Sequence, residues 1–139
     1  MKLRKACASD MPTIYNIALK YDLESDDMKA DEFLVAEENN NIIGIGRLKI
    51  HPDAIELGTI GVVEEYRNKG IATKIINALL KKTNSDVYLT TLIPEFFEQF
   101  GFRKLGASPP DAMIRTKEWC EGCKKQGCIL MVKILNSKL

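Results

Sequence analysis

Apolar and polar positions change their period several times along this chain, and each change marks an element. Leu3–Cys7 is short and reads as an edge strand. Ser9-Asp10 then opens a helix, with Pro12 in the first turn where its missing N–H costs little. Ile14, Ile17, Ala18 and Tyr21 recur on one helical face. Residues 22–31 are acidic and polar and read as a loop, with a short helix as the alternative. Glu32–Glu38 is strand-like, Asn39-Asn40-Asn41 is a turn signal, and Ile42–Ile50 returns, which together predict a hairpin. Pro52-Asp53 turns the chain into a third long strand, Ala54–Val63.

A polar break leads to a helix over Asn68–Lys82. Ile71, Ile75, Ala78 and Leu79 form its apolar face, with Ile76 and Leu80 beside them. Val87–Leu92 is a further strand, Pro94–Phe100 a short helix ending at Gly101, and Phe102–Leu105 an extended stretch. Gly106–Lys117 contains Pro109-Pro110 and reads as a loop, and Ile129–Leu135 as a last strand. This alternation predicts a mixed α/β domain.

The chain has 139 residues, which fits one domain, 1–139. Its apolar share of 45% is enough for a real core. With 20 basic and 19 acidic residues the net charge is +1, which argues against nucleic acid as a partner. No stretch approaches the roughly 18 apolar residues of a membrane span, and no long apolar run follows Met1, so a secretory signal is not expected. The expectation is a cytoplasmic protein. Of four cysteines, three crowd together at Cys120, Cys123 and Cys128. A structural zinc takes four ligands, so Cys7 or His51 would have to complete the set. The half-pattern does not predict a metal, and Trp119 reads as an anchor for that segment.

The sharpest local signal is Arg67-Asn68-Lys69-Gly70-Ile71-Ala72, between a strand and an amphipathic helix. A helix start presents N–H groups with no intrahelical partner, and its dipole adds partial positive charge. Together these make an anion site. Gly70 allows close approach to the backbone, Ala72 keeps the next turn small, and Arg67 and Lys69 add charge. Neither G-x-x-x-x-G-K-[ST] nor G-x-G-x-x-G occurs in the chain.

The stretch IGVVEEYRNKGIATKIINALL resembles the coenzyme A-binding segment of the GNAT superfamily, a strand, a pyrophosphate loop of the form [Q/R]-x-x-G-x-[G/A], and a helix. Arg67, Gly70 and Ala72 fill its three defining positions. PEFFEQFGFRKL is similar to a later signature of the same superfamily, through Gly101-Phe102. The resemblance implies a mixed central sheet of about six to seven strands flanked by about four helices. It implies acetyl-CoA as cosubstrate and a small-molecule amine as acceptor, and it leaves a homodimer open.

By the same resemblance, backbone N–H groups of Asn68, Lys69, Gly70, Ile71, Ala72 and Thr73 cradle the pyrophosphate. The backbone at Val62 and Val63 bonds the pantetheine and the thioester carbonyl. Ala54–Val63 and Val87–Leu92 are the strands between which the acyl chain threads. Many relatives have a Tyr four residues before the Gly, as general acid. Here that position is Phe97, which cannot donate a proton, although a thiol leaves readily without one. EFFEQFGF, with a Glu six residues before Val62, is similar to the short N-acetylglutamate-synthase-like branch.

Glu56 is the preferred general base. In a strand, Glu56, Gly58, Ile60 and Val62 share one face. Glu64 and Glu65 fall in a solvated turn. His51, the only histidine, precedes Pro52 and reads as a surface turn residue rather than a base. Arg47 is a candidate partner for a substrate carboxylate, and Thr90 a candidate hydrogen-bonding group for substrate or pantetheine. The readings that compete with an N-acetyltransferase of small amines are a protein or peptide N-acetyltransferase, a non-catalytic acyl-CoA-binding module, and a metal- or redox-responsive domain.

Overall fold

In a computed structural model, residues 1–105, 109–114 and 128–135 are described. Trp119, Cys120 and Cys123 lie outside them. The strands are β1 (Lys2–Lys5), β2 (Phe33–Glu38), β3 (Asn41–Ile50), β4 (Ile55–Val62), β5 (Val87–Thr91), β6 (Arg103–Lys104) and β7 (Ile129–Lys133). The helices are α1 (Met11–Lys20), α2 (Ile71–Leu80), α3 (Pro94–Glu98) and α4, residues 111–114. The strands form a mixed sheet in the order β1-β2-β3-β4-β5-β7-β6. This is the expected mixed sheet with flanking helices. The chain divides into two compact units, residues 1–48 with 58–83 and residues 49–57 with 84–139.

In the first unit β1, β2 and β3 pair antiparallel. Asn39 and Asn40 both have positive φ, 52° and 64°, which the two-residue hairpin turn requires and asparagine tolerates. Side-chain alternation gives the sheet two different faces. Phe33, Val35 and Ile45 pack with Ile14, Ile17 and Ala18 of α1 and with Met28. Full burial of such side chains contributes about 1.5–3 kcal/mol each.

The other face carries small residues where α2 lies. A Cβ on Gly46 would stand 2.6 Å from Ile75 Cγ2, and one on Gly44 3.1 Å from Ile71 Cγ2. Of the apolar face expected of α2, Ile71, Ile75 and Leu79 are buried and Ala78 is half-buried, while Ile76 beside it is buried as well.

The second unit contains the turn between β3 and β4, where the His51 N–H bonds the Ala54 C=O at 2.8 Å. There β4 pairs parallel with β5 through Ile55↔Val87 and Glu56↔Tyr88, and β7 pairs antiparallel with both β5 and β6. Phe97 is buried, with Phe96, Phe100 and Phe102 around it at ring-centroid distances of 5.1, 6.3 and 6.0 Å. Its place is in an aromatic core, as its chemistry dictates. The loop expected over 106–117 contains α4. Pro110 opens that turn, accepting the N–H groups of Met113 and Ile114, since proline suits a first helical turn.

Candidate functional site

The chain leaves β4 through Val63, whose N–H bonds the Ile43 C=O at 2.8 Å. Glu64–Tyr66 makes one tight 3-10 turn, with both glutamates exposed as expected. Arg67 is extended, with φ −71° and ψ 160°. Asn68 (φ 65°) and Gly70 (φ 78°) are both left-handed, and α2 begins only at Ile71. The helix expected from Asn68 starts later because two left-handed residues in three interrupt a right-handed turn.

The result is an open helix mouth. The first helical bond runs from the Lys74 N–H to the Gly70 C=O, so helix geometry leaves the amides of Ile71, Ala72 and Thr73 without an intrahelical acceptor. No side chain caps this end. A Cβ built on Gly70 would meet nothing within 4 Å, so the space over the loop is clear. Asn68, Lys69 and Gly70 are exposed, while Ile71 buries its side chain and offers only its backbone. These features fit a pyrophosphate, which needs clustered N–H donors, positive potential and no Cβ in the way.

Arg67 has a bracing part here. Its Nε–H donates to the Val62 C=O at 2.9 Å, and its guanidinium lies over the Tyr21 ring, 4.5 Å from the centroid. The Glu64 N–H donates to the Tyr21 hydroxyl at 2.9 Å. Tyr21, just past α1, therefore holds both ends of the turn leading into the loop. Helical spacing places Tyr21 on an apolar face, but no sequence signal brings its hydroxyl to a residue 43 positions away. Lys69 Nζ sits 5.4 Å from the Tyr66 ring centroid, an exposed charge beside the loop.

Arg47 is fully buried. Its guanidinium meets Glu24 in a short contact, Glu32 at 3.3 Å and the Asp26 C=O at 3.1 Å, and it lies 5.5 Å from the Phe33 ring centroid. The sequence suggested an external carboxylate as its partner; the acidic segment after α1 supplies two. The Thr59 hydroxyl donates to the Glu24 C=O at 2.8 Å, tying that segment to β4 as well. Thr59 itself has φ 48°, rare for a β-branched residue. The strict alternation that relates Glu56 to Val62 is therefore interrupted between them.

In the second unit Glu56 is buried, 5% exposed, and His51 Nε2 lies 2.9 Å from its Oε1. The single histidine is thus not a bare turn residue but the partner of the candidate base. Tyr88, the register neighbour of Glu56, has its phenol pushed up by burial, then by the negative charges of Asp86 and Asp53. Thr90 is half-buried on β5, in register with Leu130. Among the described residues no group of His, Cys, Asp and Glu is arranged to hold a metal ion, and no helix is long and apolar enough to cross a membrane.

Comparisons with known proteins point to one family. Residues 29–104, more than half of the chain, match the family model described as an acetyltransferase (GNAT) domain. An uncharacterized N-acetyltransferase of Chlorobaculum tepidum, CT2212, is 28% identical over 129 residues, covering 86% of this chain and 81% of that protein. Rv2747 from Mycobacterium tuberculosis, solved in complex with CoA and NLQ, has a similar fold with a TM-score of 0.77 and 23% identity, covering 97% of this chain and 99% of that one. N-acetylglutamate synthase from Neisseria gonorrhoeae, solved with coenzyme A and N-acetyl-glutamate, also gives a TM-score of 0.77, at 19% identity. That match covers 98% of this chain and 35% of the synthase. Since the family model spans more than half of its residues, this chain belongs to the GNAT acetyltransferases, enzymes that use acetyl-CoA to acetylate an amine.

Proposed function

We propose that the acceptor is the amino group of a small amino acid, glutamate foremost, acetylated by direct attack in a ternary complex within one acetyltransferase domain. The observation that carries the cofactor half is the helix mouth at Gly70, with no Cβ contact above it and no capping side chain. The acceptor half draws on the likeness to the synthase solved with N-acetyl-glutamate.

Backbone N–H groups from Asn68 to Thr73 hold the pyrophosphate, and the backbone at Val62 holds the pantetheine; the Val63 N–H and C=O, expected to share that part, bond Ile43 and Tyr66 instead. Bound acetyl-CoA supplies a thioester carbonyl. The acceptor nitrogen must lose a proton as its bond to that carbon forms and the carbon–sulfur bond breaks. Glu56, a buried carboxylate, takes that proton, directly or through water. A backbone N–H near Val62 stabilises the charge on the carbonyl oxygen. Phe97 gives the departing sulfur no proton, and a thiolate needs none to leave. Arg47 serves by fixing Glu24 and Glu32, and Thr90 offers a hydroxyl to the substrate or pantetheine.

Thiol release from acetyl-CoA, followed across a panel of amino acids, polyamines and short peptides, tests the reading. Glutamate or a close analogue is expected to release thiol well above the rate without acceptor, and Glu56→Gln to lower kcat by about 100-fold or more. Turnover confined to polyamines or peptides would replace the amino-acid reading.

A further inference from the structure

His51 is a chemically able side chain that those steps do not use. His51 Nε2 lies 2.9 Å from Glu56 Oε1, and this pair joins the only histidine of the chain to a carboxylate that is 5% exposed. A buried carboxylate is costly unless hydrogen-bonded. The backbone that carries the imidazole is itself held: the His51 main-chain N–H closes the turn to the Ala54 C=O at 2.8 Å. The other acid of that turn, Asp53, is engaged elsewhere, accepting the Ala112 N–H at 3.4 Å.

We propose that His51 is a positioning residue for Glu56, donating its Nε2–H to Oε1 and fixing the orientation of the carboxylate. This rests on the reading of Glu56 as the base. A base must present carboxylate oxygens, so the hydrogen in the contact belongs to Nε2. A glutamate side chain has several rotatable bonds to restrict, and a hydrogen bond to a charged acceptor is among the stronger restraints a side chain can have. His51 thereby holds the base ready before the acceptor amine arrives, with no bond made or broken at the imidazole.

The test compares His51→Phe with His51→Gln, whose terminal amide can place an N–H near the position of Nε2. His51→Phe is expected to lower kcat roughly 10- to 100-fold, the effect of losing a hydrogen bond to a charged group. The KM for acetyl-CoA and the affinity for coenzyme A should not move. His51→Gln is expected to recover most of the loss. Because the chain has one histidine, the ring 15N signals of the wild-type protein need no assignment by mutation, and they should show Nε2 protonated.

Unchanged kcat in His51→Phe, with Glu56→Gln strongly impaired, overturns the proposal and leaves the base in place. So does a ring whose bare nitrogen is Nε2. Full activity in Glu56→Gln removes the base reading itself, and this proposal with it.

Discussion

Gly70 separates the cost of a backbone conformation from the cost of a lost ligand contact. Its φ of 78° lies in the left-handed region, which an L side chain enters at about 1–2 kcal/mol. Nothing in the protein stands within 4 Å of the added Cβ, so Gly70→Ala adds no clash to that strain. Its folding penalty should be about 1–2 kcal/mol, a fall in Tm of roughly 2–10 °C for a domain of this size.

The effect on coenzyme A should be larger. Amide-to-phosphate hydrogen bonds need about 2.7–3.2 Å between heavy atoms, and a methyl group over the loop keeps the pyrophosphate from that distance. Loss of one or two charge-assisted bonds, about 1.5–3 kcal/mol each, raises Kd at least 10-fold and up to about 1,000-fold or more. Gly70→Glu adds negative charge and should abolish measurable binding. Calorimetric titration with coenzyme A, alongside thermal melts of the same samples, reads both effects. If Gly70→Ala melts earlier but binds as tightly as the parent, the glycine serves only the turn and the reasoning about the cradle is wrong.

Three further substitutions test the supports of the site and fold. Tyr21→Phe loses the hydroxyl that accepts the Glu64 N–H, while Tyr21→Leu also loses the ring under Arg67; coenzyme A affinity should fall in that order, about 3- to 10-fold and then further, by the same titration. Gly46→Ala puts a Cβ 2.6 Å from Ile75 Cγ2 and should destabilise the fold by about 1–3 kcal/mol, measured by urea unfolding.

Asp10 is held well below the usual carboxylate range by the Arg4 guanidinium at 2.7 Å, then by the Cys7 N–H. A depressed native value stabilises the fold above the unfolded carboxylate value near ~3.9, and that contribution is lost as pH falls towards the native value. Asp10→Asn should therefore be about 1–2 kcal/mol less stable at pH 7, with the gap narrowing below about pH 4 in urea titrations. An equal gap at pH 3 and pH 7 would contradict this assignment.

What the sequence made legible follows from how local each signal is. Gly70 and Ala72 announce the loop because only small residues let an anion reach the backbone there. Asn39-Asn40 announces the hairpin because the turn needs positive φ twice. The faces of α1 and α2 were readable from spacing, since burial follows period. Contacts fixed by tertiary structure were not. Nothing local to Arg47 points to Glu24 or Glu32, and nothing around Tyr21 points to Glu64. Thr59 reads as an ordinary strand residue, yet its φ is 48°, a conformation imposed by its surroundings. His51 next to proline looks like a surface turn until β4 brings Glu56 to it.

The most direct test is a backbone 1H–15N spectrum titrated with coenzyme A. The N–H signals of Asn68, Lys69, Gly70, Ile71, Ala72 and Thr73 should move downfield together and saturate at one affinity, whereas pantetheine, which lacks the pyrophosphate, should leave them in place. Coenzyme A binding that leaves those six signals unmoved would contradict the account.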